Sequence, residues 1–554
     1  MSFSFLPLAQ TSGVYPGWFS HAAIRRASLL ALLLILELLV LSVWLDNASL
    51  SRAAGFAWLI GRWGAWTARF VVVFAVFFLI FGYPKARNSF QSISALLRET
   101  PISWSLLAGH FCSVVAFAGL SVPLYASPSR ISGNLVGGAW LAAGALAVAL
   151  AGVAFAPPKL WMQAARATGH AWIYASAAGL SACLLGAASR LMWAPAAHLT
   201  FLMVKTILRA FVSGVIADPS THSIGSRGFH VEIAAECSGL EGVGLILAFG
   251  AAWLWLFRRE FRFPRALLLI PAGVAAIFLM NALRITALIL IGAAGAQGVA
   301  MGGFHSQAGW IVFNAVAAGF ALTAQRLPWV TVPGRTATRP ARSAENPTVP
   351  YLAPLLTILA AAMISRAASS GFEWLYPLRF FAAAGVLWFY RRKYAALDWK
   401  FGWMAAAIGT LVFAMWMGLD WARGGGANAG IASGLAGRPA PARAGWLTLR
   451  TLAAVVTVPI AEELAFRGFL LRRLVSADFE SVDWRRWAFF PVLISSVAFG
   501  VLHGDRWLAG TMAGVLYAAA LHWRGRIGDA VAAHAVTNLS LAAWVLMSGN
   551  WGLW

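Results

Sequence analysis

Long apolar segments follow one another along almost the whole chain, and short polar segments separate them. Apolar stretches of roughly 18 residues or more are typical of transmembrane helices. The pattern therefore predicts an all-α fold, a polytopic bundle of transmembrane helices. In the first part of the sequence the apolar segments lie near residues 27–45, 68–83, 103–124, 135–156, 169–188, 195–216, 243–257, 266–292 and 306–324.

One long polar segment, residues 326–350, interrupts this pattern, and it contains arginines among prolines and threonines. Short arginine-rich segments between spans tend to stay on the cytoplasmic side of a membrane. We interpret this segment as a cytoplasmic linker between two membrane-embedded domains. The first domain, residues 1–325, is expected to contain about eight spans, and the second, residues 351–554, about seven.

The number of spans in the first domain follows from the charged residues. Arg25 and Arg26 place the N-terminus inside, and a cytoplasmic linker then requires an even number of crossings. One of the nine apolar segments must therefore fail to cross. The weakest is 195–216, because Lys205 and Arg209 are costly at the centre of a bilayer. We expect this segment to lie along the membrane surface as an amphipathic helix.

The composition is that of a membrane protein, and it affects how the high positive net charge is interpreted. The chain has 554 residues, of which 60% are hydrophobic and 11% are charged, and its formal net charge is +23. In a soluble domain such a charge would indicate nucleic-acid binding, but here the arginines lie in short loops between apolar segments. We therefore expect contacts with membrane lipids and none with nucleic acid. The polar N-terminal segment lacks a small-residue cleavage site, so no cleavable signal peptide is expected.

Of the three cysteines, only Cys237 has polar neighbours in the sequence. It lies in Glu-Cys-Ser-Gly-Leu, and Asn-Ala-Leu-Arg284 and Gly-Phe-His305 follow downstream. A nucleophilic cysteine reacts as a thiolate, which needs a nearby cation or base, and the oxyanion that it generates needs a donor. In the eight-span topology Cys237, Arg284 and His305 all reach the outer face, so the pattern indicates a catalytic set. A packing cysteine, a snorkelling arginine and an interfacial histidine remain the alternatives.

A second group of polar residues follows the linker, in Ala-Glu462-Glu463-Leu-Ala-Phe-Arg467. Two carboxylates within an apolar stretch are costly unless they are paired or functional. Helical spacing places Glu463 and Arg467 on one face, so we expect them to form an ion pair. Glu462 then remains free to take a proton.

Two further one-turn motifs complete this group, Phe-Gly-Val-Leu-His503 and His534-Ala-Val-Thr-Asn538. Two histidines and a glutamate also suit zinc, although the sequence lacks the arrangement in which two histidines on one helix flank a glutamate. We expect no cofactor, and a metal in this half remains an alternative. Another alternative is that these side chains only bridge helices in the bilayer.

The first constellation resembles the exosortase family of polytopic cysteine transpeptidases, over roughly residues 27–325. This family processes exported proteins whose C-terminal sorting signal combines a short motif, a transmembrane helix and a basic tail. The resemblance implies that Cys237 is the nucleophile and that Arg284 and His305 are its partners. The acceptor that resolves the enzyme-bound intermediate stays unknown.

The second constellation resembles the CPBP family of intramembrane proteases, which is related to the CAAX prenyl endopeptidases. The resemblance rests on Glu-Glu-x-x-x-Arg, Phe-x-x-x-His and His-x-x-x-Asn in that order. It implies that Glu462 and His503 activate water and that His534 and Asn538 stabilise the oxyanion.

An exosortase-like half before a protease-like half resembles the fused exosortase E proteins of bacteria, whose substrates carry a Val-Pro-Glu-Ile-Asp motif. The resemblance implies a bifunctional multi-pass enzyme of the bacterial inner membrane. Its substrates would be proteins with C-terminal sorting signals, processed at the outer face. A polytopic transporter or flippase, and a sortase with an inert docking module, remain the alternatives.

Overall fold

The computed structural model describes residues 22–44, 66–67, 69–78, 81–82, 90–126, 133–226, 228–234, 237–332, 346–422 and 429–554. This part of the chain is predominantly helical, and nine of its helices are long and apolar enough to cross a membrane. The predicted all-α, polytopic fold is confirmed. The polar N-terminal segment before residue 22 and most of the predicted linker lie outside the described residues.

The chain divides into two compact units, Met1–Leu191 and Met192–Trp554. The helices of the first unit are α1 (Ala22–Trp44), α2 (Arg69–Phe78), α3 (Phe90–Glu99), α4 (Trp104–Ala126), α5 (Gly133–Phe155), α6 (Pro158–Thr168) and the beginning of α7 (Ala171–Arg209). Within this unit the buried imidazole of His110 lies 2.8 Å from a carboxylate oxygen of Glu37 and 2.9 Å from the Ala147 carbonyl. These contacts tie α4 to α1 and α5.

Helix α7 corrects one boundary. The sequence predicted separate segments at 169–188 and 195–216, the second lying along the membrane surface, but residues 171–209 form a single helix that contains Pro195. Its last part, Leu191–Arg209, is itself long and apolar enough to span. The expected separate helix at 195–216 is therefore wrong: the apolar run up to Arg209 continues the preceding helix, and a proline within a helix need not end it. Its position along the membrane surface stays a prediction. One continuous helix crosses a bilayer at most once, so the predicted even number of crossings does not depend on a separate segment here.

A small antiparallel sheet follows α7, and the sequence analysis missed it. Its strands are β1 (Ile216–Asp218), β2 (Ser223–Ser226) and β3 (Phe229–Glu232), in that spatial order. Strands this short carry little periodic signal. Ile224 and Ile233 pack with side chains of α7 and of a later helix, among them Phe201, Ile285 and Ile289.

The turn between β1 and β2 is held by one carboxylate. Asp218 accepts hydrogen bonds from the Ser220 and Thr221 hydroxyls, at 2.7 and 3.0 Å. The Ser220 hydroxyl, with further help from the Ser220 backbone, lowers the pKa of the Asp218 carboxyl. The turn therefore keeps a charged acceptor near the segment that leads to Cys237.

Three long helices of the second unit surround the cysteine region. They are α8 (Leu240–Leu256), α9 (Leu269–Ala293) and α11 (His305–Arg326), and each packs against the other two. A one-turn helix α10 (Gln297–Val299) and a π-helical turn (Ala300–Phe304) connect α9 to α11.

The second half of the chain continues in the same compact unit. Its helices are α12 (Thr348–Ala367), α13 (Pro377–Phe389), α14 (Arg391–Tyr394), α15 (Trp403–Ala422), α16 (Ala429–Ala436), α17 (Ala440–Leu452), α18 (Val458–Glu463), α19 (Arg472–Val475), α20 (Phe489–Val501), α21 (Trp507–Arg524) and α22 (Ile527–Ser548). Two π-helical segments, Ala453–Thr457 and Leu464–Leu471, join α17, α18 and α19 into one long helical run. The boundary between compact units thus lies within α7, whereas the linker at 326–350 stays a predicted boundary between functional domains.

Candidate active sites

A cavity of about 220 Å³ lies between the outer-facing ends predicted for α8, α9 and α11. Cys237, Arg284 and His305, which the sequence placed far apart along the chain, all line it. The other lining residues are Gly239, Glu241, Gly242, Leu245, Ile277, Asn281, Ser306, Gly309, Trp310, Val312 and Phe313. The cavity therefore combines one thiol, two cationic or basic side chains and one carboxylate with apolar walls.

The backbone around Cys237 is held by a close approach to α9. Gly239, just before α8, has a φ of 88°, a left-handed conformation that favours glycine. A Cβ at this position would lie 3.1 Å from the Asn281 amide nitrogen and 3.2 Å from the Phe278 ring. The Thr200 hydroxyl donates a 2.9 Å hydrogen bond to the Ser238 carbonyl from the side of α7.

Asn281 connects the cysteine to the arginine. Its Nδ2 donates to the Cys237 carbonyl at 3.0 Å, and its Oδ1 accepts from Arg284 Nη2 at 3.1 Å. The sequence analysis quoted Asn281 within a motif but gave it no role. Its position could have indicated a role, because it is a polar side chain one helical turn before Arg284 in an otherwise apolar helix.

Arg284 and His305 differ in how far they are exposed. Arg284 Nε is buried and has no hydrogen-bond partner among the described residues. Gly309 is the residue beside the guanidinium, since a Cβ there would lie 3.4 Å from Nη1. His305 begins α11 directly after the π-helical turn and is exposed. Among the described residues no hydrogen bond joins the side chains of Cys237, Arg284 and His305 to one another.

The second candidate site is buried in the C-terminal half. The predicted ion pair is present: Arg467 Nε lies 3.1 Å from Glu463 Oε2, and both side chains are fully buried. His534 bridges the two carboxylates, because its Nδ1 lies 3.0 Å from Glu463 Oε1 and its Nε2 lies 3.8 Å from Glu462 Oε2. That Glu462 oxygen is buried and accepts no hydrogen bond from the described residues.

Aromatic rings and one carbonyl enclose this cluster. The Arg467 guanidinium lies 4.4 Å from the centre of the Phe499 ring and donates to the Gly514 carbonyl at 2.9 Å. Tyr517 stacks on His534 with 4.7 Å between ring centres and 17° between planes. Cation–π contacts and a carbonyl thus compensate part of the desolvation of the arginine.

His503 and Asn538 each contact a backbone carbonyl. His503 Nδ1 lies 2.9 Å from the Phe499 carbonyl, and Asn538 Nδ2 donates to the Ala454 carbonyl at 2.8 Å. Among the described residues, neither makes a hydrogen bond to Glu462. His534 is therefore the histidine that contacts the carboxylate pair. The residues that the structure describes contain no group of three or more His, Cys, Asp or Glu side chains placed to hold a metal ion.

Both regions match families of membrane-embedded enzymes. The model of the transmembrane exosortase family matches residues 207–322, and that of the type II CAAX prenyl endopeptidase Rce1-like family matches residues 444–540. These are the two families that the motifs resemble, so that recognition is confirmed. The chain has no significant match among curated proteins or solved structures. It is a multi-pass membrane protein with an exosortase-like region followed by a CAAX protease-like region.

Proposed function

We propose that this protein is a bifunctional enzyme of the bacterial inner membrane. Its exosortase-like region would cleave C-terminal sorting signals of exported proteins at the outer face and transfer them to an acceptor. Its CAAX protease-like region would be a glutamate-dependent intramembrane endopeptidase. The observation that carries the proposal is that Cys237, Arg284 and His305 line one and the same cavity.

In the first reaction the Cys237 thiolate attacks the carbonyl carbon of the peptide bond to be cleaved. Arg284 donates hydrogen bonds to the oxygen that becomes negative, since its Nε has no partner among the described residues. The carbon–nitrogen bond then breaks, and the leaving amine takes a proton from His305. An acceptor nucleophile attacks the resulting thioester, loses its own proton to His305 and regenerates the thiolate.

In the second reaction Glu462 takes a proton from water, and the resulting hydroxide attacks the carbonyl carbon of a peptide bond within the membrane. The carbon–nitrogen bond then breaks, and Glu462 gives its proton to the leaving amine. The Glu463–Arg467 ion pair and His534 fix the position of Glu462 and its neighbourhood. By the resemblance, His503 would assist Glu462 in activating the water, and His534 and Asn538 would stabilise the oxyanion. A suitable substrate is the membrane-embedded stub that the first reaction releases, because it ends in the same membrane.

The test uses a cargo protein whose C-terminal sorting signal consists of the sorting motif, an apolar span and basic residues. One epitope is placed at the N-terminus of the cargo and another after the basic residues. Cells carry the wild-type enzyme, the Cys237→Ala variant or the Glu462→Gln variant, and immunoblots follow both epitopes. We expect Cys237→Ala to leave the cargo whole, and Glu462→Gln to allow sorting while the C-terminal stub persists. Cys112→Ala is the matched control for loss of a thiol.

Cargo cleavage at the wild-type level in Cys237→Ala would refute the sortase proposal. Normal disappearance of the stub in Glu462→Gln would instead favour the docking-module alternative for the second half. Loss of both reactions in Glu462→Gln would show that the two sites depend on each other.

A further inference from the structure

The segment that carries His305 rests directly on the second half of the chain. The Gly303 amide donates a 3.1 Å hydrogen bond to the Ser369 carbonyl, just beyond the end of α12. A Cβ at Gly303 would lie 1.8 Å from the Arg366 carbonyl oxygen and 2.4 Å from that of Ser369. No side chain fits there, so the glycine permits a backbone-to-backbone contact two residues before His305.

A neighbouring glycine extends the contact. A Cβ at Gly298 would lie 3.0 Å from the Ser370 side chain, and α11 packs against α12. We call residues 366–373 the α12 turn. The short segment from Gly298 to Gly303 therefore lies on the α12 turn, and the π-helical turn that it enters, Ala300–Phe304, leads directly into α11.

One side chain fixes the α12 turn. The Glu373 carboxylate accepts a 3.1 Å hydrogen bond from the Ser365 hydroxyl, lies 3.5 Å from Arg366 Nε and pairs with Arg379. The Glu373 carbonyl accepts a 3.0 Å hydrogen bond from the Trp446 indole. Glu373 thus ties the turn to α12, α13 and α17.

None of these contacts involves the candidate protease residues. We propose that the α12 turn positions His305, and that Glu373 and Gly303 are positioning residues for the sortase site. The protease-like half would then be a structural part of the sortase site, apart from any proteolysis that it performs. This inference rests on the proposed pairing of His305 with Cys237.

The first test places a methyl group in the contact. Gly303→Ala must displace the π-helical turn, because the atoms that it meets are backbone carbonyls. A misplacement of about 1 Å costs on the order of 10²-fold in rate, so cargo processing should fall by about that factor. Gly319→Ala is the matched control, because nothing lies within 4 Å of a Cβ at that position in α11. It should process cargo normally.

The second readout is the rate constant for alkylation of Cys237 by a small thiol reagent, in the full-length enzyme. A rate constant does not depend on how much protein is folded, and the end point of labelling measures that amount separately. We expect His305→Ala and Gly303→Ala to slow the reaction to a similar extent. Gly319→Ala should react like the wild type.

Glu373→Gln provides an independent variant that adds no steric strain. It removes the charge that holds Arg366 and Arg379, so the alkylation rate constant and cargo processing should both fall, less than in Gly303→Ala. Asp398→Asn is its control, because it removes an ion pair with Arg526 elsewhere in the same half.

The outcomes separate the two levels of the proposal. If His305→Ala leaves the alkylation rate constant unchanged, the pairing of His305 with Cys237 is wrong and the inference falls with it. If His305→Ala slows alkylation but Gly303→Ala and Glu373→Gln do not, only the positioning role is wrong. If Gly303→Ala yields no labelled protein, the Glu373→Gln result decides.

Discussion

The two candidate sites differ in how far they are assembled before a substrate arrives. At the cysteine site, Cys237, Arg284 and His305 line a cavity without bonding to one another, and His305 is exposed. At the glutamate site, Glu463 and Arg467 are fully buried, and His534 contacts both carboxylates. Hydrogen bonds in catalytic sites without substrate are often long and tighten only on binding. The three side chains of the cysteine site therefore lie apart, whereas those of the glutamate site already contact one another.

Position within the helices explains this difference. Cys237 precedes α8 and His305 begins α11, so both lie at helix ends beside a short sheet and a π-helical turn. Glu463, Arg467 and His534 lie within helical runs, where neighbouring helices exclude water and an unpaired charge is most costly. Four predictions test this contrast.

The largest expected effect is on stability at the buried site. Glu463→Gln leaves the Arg467 charge buried with its main partner neutralised, which should lower the free energy of unfolding by about 3–5 kcal/mol. Denaturant titration in detergent micelles measures it. The double variant Glu463→Gln with Arg467→Met should lose less than the single one, since no charge is then left alone. Asp398→Asn, in a partly exposed ion pair, should cost about 1 kcal/mol or less.

A double variant that is as unstable as the sum of the two single variants would contradict the buried-pair interpretation. It would indicate that each side chain stabilises the bundle separately.

The glutamate site was largely predictable because one helix carries its main contact. The i,i+4 spacing of Glu463 and Arg467 fixes their proximity in any helical conformation, including one that continues into a π-helical segment. The approach of His534 to this pair required the packing of α22 against α18, which no local pattern contains. Because no local pattern contains this packing, the sequence did not predict that His534 contacts Glu462. The family resemblance had paired Glu462 with His503.

The cysteine site was predictable in its three residues but not in its supports. Topology alone brought Cys237, Arg284 and His305 to one face. The small sheet, the continuous helix α7 and the contact of Gly303 with Ser369 all depend on tertiary packing. Short strands and helix boundaries are weakly encoded by periodicity, and a glycine that permits a backbone contact resembles any other glycine in an apolar sequence.

The second prediction concerns the directed hydrogen bonds of Arg284. Arg284→Lys keeps the charge but loses the planar guanidinium that contacts Asn281 and points its Nε into buried space. Loss of a directed donor to an oxyanion costs on the order of 10²–10³-fold in kcat, so sorting should fall by about that factor. Single-turnover cleavage of purified cargo measures it. Normal turnover with lysine would show that only the charge matters.

The third prediction tests the accessibility of the cysteine site. A membrane-impermeant thiol reagent added outside should label Cys237, because its side chain is partly exposed in a cavity that lies at the predicted outer face. Cys183 is buried, and Cys112 lies on the surface of the apolar helix α4, so both should be spared within the bilayer. Mass spectrometry of labelled peptides identifies the site, and Cys237→Ser is the control. Labelling only from the cytoplasmic side would overturn the eight-span topology.

We call the segment before α8 that contains Cys237 and Ser238 the cysteine loop. The smallest expected effect concerns the hydrogen bond between α7 and this loop. Thr200 is fully buried and donates to the Ser238 carbonyl, next to Cys237. Thr200→Val keeps the shape and removes one neutral hydrogen bond, which should cost about 1 kcal/mol of stability. Because the Asn281 bond to the Cys237 carbonyl remains, sorting should fall less than in Arg284→Lys.

The control for Thr200→Val is Thr206→Val on the same helix, where the hydroxyl is exposed and bonds only to the carbonyl one turn back. It should change neither stability nor sorting measurably. Equal effects of the two substitutions would mean that α7 gives the cysteine loop no specific support. A larger loss of sorting in Thr200→Val than in Arg284→Lys would mean that the cysteine site depends more on the hydrogen bonds that hold its backbone than on the guanidinium of Arg284.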